Sequence, residues 1–144
     1  MADPLLPTVP PGEGGYTAVE IVVVLVIASV LSSMAFPVIE SVVTDVRLDV
    51  AAERLGSDLY WARIQAVKRN DVVHVATTGP GTYEIQSVGA RRLAANVEFG
   101  PATTDTLRFA PFGLTLSGPA TYVLTLGPAS RTLDVSPAGL PEVR

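Results

Sequence analysis

One ionisable side chain, Glu20, stands between Tyr16 and Phe36 in a run of valine, isoleucine, leucine and small residues. A lone carboxylate in an apolar environment costs several kcal/mol unless it is neutralised or paired, so Glu20 is either such a group or an acid at a membrane surface with no partner. Ahead of it lies Gly14-Gly15-Tyr16-Thr17, where two glycines leave the backbone unhindered. Elsewhere the residue types argue against catalysis. The chain has no cysteine and one histidine, His74, which excludes disulfides, thiolate metal sites and cysteine nucleophiles. His74 falls among valines and reads as a structural strand residue. Gly79, Gly81 and Gly89 precede no helix and form no phosphate-cradling loop. Arg91-Arg92 reads as a solvated pair at a strand start, and Tyr60 and Trp61 as packing residues. No enzyme and no cofactor are expected.

The surrounding elements follow from periodicity. At 144 residues, 48% hydrophobic, 17% charged and a net charge of −4, the chain has room for one domain and an appendage. Its acidity disfavours coating nucleic acid. Residues Met1–Gly15 are rich in proline and glycine and read as a leader or a tail without regular structure. Ala18–Phe36 is apolar apart from Glu20; its nineteen residues at about 1.5 Å each span roughly 28 Å, the thickness of a bilayer core. Ser32 and Ser33 within it read as small residues that bond back to helix carbonyls. From Val38 to Arg69, Leu48, Ala52, Leu55, Leu59, Ala62 and Ala66 form one helical stripe. Arg54 and Asp58 are spaced as an i,i+4 pair, Pro37 marks a kink or loosened turn, and Asn70-Asp71 a stop.

Beyond Asp71 short β segments alternate with Gly and Pro: Val72–Thr78, Tyr83–Val88, Leu93–Phe99, Thr106–Phe112, Tyr122–Leu126 and Arg131–Ser136. Two hairpin connections are expected, at Thr78–Thr82 and Gly127–Ser130. The fold class is therefore α+β, a long N-terminal helix laid over a C-terminal antiparallel sheet. The divisions are a leader (1–15), a membrane helix (16–37), an amphipathic helix (38–70) and a β domain (71–144).

Gly15-Tyr16-Thr17-Ala18-Val19-Glu20, followed by the apolar block and Pro37, resembles the prepilin signal of type IV pilins and pseudopilins. Leu59–Asn70, Arg108–Gly113 and Arg131–Gly139 look like the GspH/FimT branch of minor pilins. The resemblance implies a structural subunit of a type IV pilus or a type II secretion pseudopilus. It implies cleavage between Gly15 and Tyr16 by a prepilin peptidase and N-methylation of Tyr16. Glu20 would pair with the amine of a neighbouring subunit, and Pro37 would allow the helix to extend and pack. The implied partners are other pilin subunits and an inner-membrane assembly platform; the implied location is the inner membrane, with the β domain in the periplasm. Some members of the branch bind DNA through arginines after a C-terminal glycine; here Gly139 is followed by a single candidate, Arg144, and nucleic acid is not an expected partner. The leader has no Lys or Arg, so orientation follows from the resemblance rather than from charge. Two rivals stand beside this reading. One is a secreted soluble binding module released by signal peptidase after Ala35, and the other an uncleaved single-pass anchor.

Overall fold

The computed structural model describes residues 15–86 and 88–144, with the side chains of residues 34–38 outside the description. Residues 1–14 of the leader also lie outside it. One helix, α1 (Ala18–Arg69), is followed by eight strands. The chain divides into two units, Met1–Val38 and Ile39–Arg144.

In the first unit, Thr17 opens α1. Its hydroxyl accepts the Glu20 N–H at 3.3 Å and its carbonyl accepts the Ile21 N–H at 3.2 Å. That is N-cap geometry, and Thr17-x-x-Glu20 is the matching capping spacing. Glu20 also places a negative charge in the first turn, where the helix dipole favours it. Ser29, Ser32 and Ser33 each donate to a carbonyl three or four residues back, at 2.7, 2.8 and 2.7 Å, as expected for the latter two. Their hydroxyls are thereby spent internally, and the helix surface stays apolar. Among the described residues no helix is long and apolar enough to cross a membrane. The span expected at Ala18–Phe36 includes three residues, Met34–Phe36, whose side chains are outside the description.

The second unit is built on the expected stripe. Leu48, Ala52, Leu55, Leu59, Ala62 and Ala66 are all buried, joined by Ala51. Four alanines among seven positions let the helix backbone approach the strands closely, and the three leucines fill the space beyond. The helix stops at Asn70, which takes a left-handed conformation (φ 51°). The Asp71 N–H donates to Ala66 O at 3.2 Å and the Asn70 N–H to Val67 O at 3.3 Å, a Schellman closure that satisfies the terminal carbonyls.

The strands are β1 (Val73–Gly79), β2 (Thr82–Ile85), β3 (Gly89–Arg92), β4 (Glu98–Phe99), β5 (Thr106–Phe109), β6 (Ala120–Leu126), β7 (Ala129–Val135) and β8 (Pro141–Val143). They form two four-stranded antiparallel sheets, ordered β3-β2-β1-β5 and β4-β6-β7-β8. A helix about 10 Å across cannot cover one broad sheet; two small sheets can turn their apolar faces to it and to each other. The chain switches sheets at Gly100–Asp105, where Thr104 N–H donates to Thr121 O in one sheet and Thr77 N–H to Asp105 O in the other, both at 2.8 Å. Tyr83 meets Phe99 edge-on (centroids 6.1 Å apart), and Phe99 meets Tyr122 (6.2 Å), so an aromatic row spans the seam.

Both expected hairpins form, β1–β2 and β6–β7. Four segments differ from expectation. Thr106–Phe112 stops at Phe109, where the chain turns and the Gly113 N–H donates to Ala110 O at 2.8 Å. The Tyr83–Val88 strand ends at Ile85, because the Val88 N–H turns back to Ile85 O at 2.9 Å and launches β3. Arg91 and Arg92 thus end a strand rather than start one. Most of Leu93–Phe99 is irregular, interrupted by Asn96 at φ 66°, and only Glu98–Phe99 pairs. β8, three residues long and opening on Pro141, has no strand signal in the sequence.

Candidate functional site

Gly15 and Tyr16 precede the helix and are exposed, Tyr16 at 80%. Glu20 lies one turn on, beside Tyr16, Ile21, Val24 and Leu25, which line a shallow groove. Among the described residues its carboxylate makes no ion pair and accepts no hydrogen bond. The helix around it is apolar on every side: Val19, Ile21 to Ile27, Val30 and Leu31 are all more than half exposed. A helix apolar all round is built to be surrounded by other apolar matter. Pro37 lies within the helical backbone of α1, its side chain outside the described residues.

The second unit carries another apolar stripe that the sequence reading passed over. Ile39, Val42, Val43, Val46 and Val50 recur at helical spacing and are 41–58% exposed. At 100° per residue they lie opposite Leu48, Leu55 and Leu59, so this part of α1 is apolar on both its inner and outer faces. The signal was present in the spacing; a search for a single core face hides it.

Three stretches that carry the GspH/FimT resemblance converge in space. The Arg63 Nε–H donates to Gly113 O at 2.9 Å. A Cβ on Gly139 would lie 2.5 Å from the Gly113 carbonyl oxygen and 3.0 Å from Arg63 Cδ, and both glycines hold positive φ (73° and 81°). Only glycine fits such a crossing. Arg63, which falls off the core stripe, therefore acts as a tie between the helix and the β5–β6 and β7–β8 loops. Asp49 is a second tie, its Oδ1 2.6 Å from Arg131 Nε. Asp58 is a third: it accepts the Tyr83 hydroxyl at 2.6 Å instead of pairing with Arg54. Burial raises the Tyr83 phenol well above its ordinary value, and the bond to Asp58 adds to this. Burial alone raises that of Tyr122, whose hydroxyl finds no hydrogen-bond partner among the described residues.

The remaining candidates are dispersed. His74 sits on β1 opposite Arg108 of β5, and among the described residues no three His, Cys, Asp or Glu side chains gather as for a metal. Tyr60 and Trp61 are 45% and 51% exposed rather than core residues. Arg144 exchanges backbone hydrogen bonds with Thr132 and points toward Asp134, 3.9 Å away.

Two crystal structures of the Pseudomonas aeruginosa (strain PAO1) type IV minor pilin FimU share this fold. One is 20% identical over 67% of this chain and 87% of that one, with a TM-score of 0.58. The other crystal form gives 19%, 67%, 92% and 0.55. No curated protein matches in sequence. The model of the type II transport protein GspH family matches residues 51–139, from the buried alanine pair of α1 through the Arg63–Gly113–Gly139 crossing. The chain belongs to the GspH family.

Proposed function

We propose that this protein is a minor pilin or pseudopilin, a structural subunit of a type IV pilus or a type II secretion pseudopilus. The observation that carries the reading is Glu20: a carboxylate without a partner among the described residues, in the first turn of a helix whose surface there is apolar all round. Prepilin peptidase cuts between Gly15 and Tyr16, and the new Tyr16 amine is N-methylated. While the subunit waits in the inner membrane with its β domain in the periplasm, the apolar segment sits in lipid. On assembly it exchanges lipid for neighbouring helices. Glu20 then meets the amine of an adjacent subunit, which removes the cost of an unpaired acid and sets the axial step. Pro37, which removes one backbone donor, loosens the helix at the boundary between the two units. The outer stripe Ile39–Val50 extends the apolar contact beyond the bilayer, and the β domain stays at the filament surface. Family membership and the fold shared with a minor pilin support this reading.

Glu20→Val tests it. The variant should insert in the membrane and be processed to a chain beginning at Tyr16, yet be depleted from sheared filaments. Incorporation equal to that of the parent would refute the pairing, and a mature chain beginning at Phe36 would refute the processing.

A further inference from the structure

A groove of about 580 Å³ opens on the second unit, between the C-terminal turns of α1 and strand β3. Ile85 forms its floor. Trp61, Gln65 and Arg69 wall it from the helix, and Val88 and Arg91 from the sheet. Two kinds of binding capacity meet here. The first is charge: Arg69 and Arg91 make no ion pair among the described residues, and Lys68 and Arg92 are exposed neighbours in sequence. These four hold much of the positive charge of a chain that carries only ten Lys and Arg and is acidic overall. The one acid at the groove, Asp58, is engaged by the Tyr83 hydroxyl. The second is backbone: β3 ends its sheet, paired to β2 on one side only. A free edge presents N–H and C=O groups to an incoming strand. Trp61 and Val88, 51% and 44% exposed, supply apolar anchors alongside it.

We propose that this groove docks an extended acidic peptide strand of a protein partner, which adds to the edge of β3 while its carboxylates meet Arg69 and Arg91. The free edge favours a peptide over nucleic acid. A phosphate backbone needs a continuous basic track, whereas here the cations are confined to one corner of an acidic protein. The inference concerns the second unit and does not depend on how the apolar first unit assembles.

The test uses the full chain in detergent micelles, with a labelled peptide of alternating Glu and Val as probe. Trp61 is the only tryptophan, so its emission reports on the groove directly. The peptide should bind saturably and shift Trp61 emission. The double variant Arg69→Glu, Arg91→Glu should weaken binding roughly tenfold, as loss of two charge contacts predicts, with an unchanged circular dichroism spectrum. A Lys–Val peptide should instead bind the charge-reversed protein better than the parent. N-methylation of alternate amides in the probe should abolish binding. The proposal is overturned by binding that ignores the charge reversal, by an unmoved Trp61 signal, or by equal binding of the N-methylated probe. Tighter binding of a short oligothymidylate, sensitive to the same two arginines, would also overturn it and assign the groove to nucleic acid.

Discussion

Two tyrosines in one core should respond to the same small change with opposite sign. Tyr83 and Tyr122 are each 1% exposed and both rings pack against Phe99. The Tyr83 hydroxyl donates to Asp58 Oδ2 at 2.6 Å; the Tyr122 hydroxyl is buried with no partner among the described residues. Replacing either by phenylalanine removes one oxygen and leaves the ring packing in place. In Tyr83→Phe the loss is a hydrogen bond to a charged acceptor. Because Asp58 is half-buried and regains water, the net cost should be about 1–2 kcal/mol. In Tyr122→Phe an unsatisfied hydroxyl leaves the interior, which should stabilise by about 1 kcal/mol. For a unit of this size each kcal/mol moves the melting temperature by about 4 °C or more. The two variants should therefore straddle the parent, separated by roughly 10 °C. Thermal unfolding of the full chain, followed by near-UV circular dichroism, reads the difference. A Tyr122→Phe variant that melts below the parent would refute the reasoning, because the hydroxyl would then be satisfied.

The same two phenols set an alkaline limit. Burial raises both above the ordinary value of 10.0, so their neutral forms contribute stability that is fully present below that pH. It is lost as the pH rises and the unfolded chain ionises first. Denaturant midpoints should be level in this respect up to about pH 9 and fall toward about pH 11; the double Tyr→Phe variant should fall less steeply. At the loop crossing, Gly139→Ala should cost about 2 kcal/mol or more through its Cβ clash and positive φ. Arg63→Ala should cost about 1–2 kcal/mol. The double variant should cost less than the sum, since both act on the Gly113 loop; additive denaturant midpoints would count against the shared crossing. On the outer stripe, Val46→Ser should leave the melting temperature within the range of about 0.5 kcal/mol while lowering the sedimentable filament fraction. Unchanged filament yield would remove that face from the assembly contact.

What the order of residues determined was whatever depends on near neighbours. The end of α1 at Asn70 and the leucine–alanine stripe follow from helical spacing and from stop signals, which act over three or four residues. The β1–β2 and β6–β7 hairpins follow from Gly-Pro turns. The isolation of Glu20 needed only the run of apolar residues around it.

Contacts between distant segments were decided by the fold. Which strands share a sheet depends on pairing across tens of residues, and no local pattern separates β3 from the loop after it. Asp58 is spaced to pair with Arg54 and Arg63 falls off the core stripe; their actual partners, Tyr83 and Gly113, come from strands and loops far along the chain. The groove beside β3 exists only once the inner stripe of α1 has chosen its side. A helix residue's chemical role is set by what lies opposite it, and that is settled when the core closes.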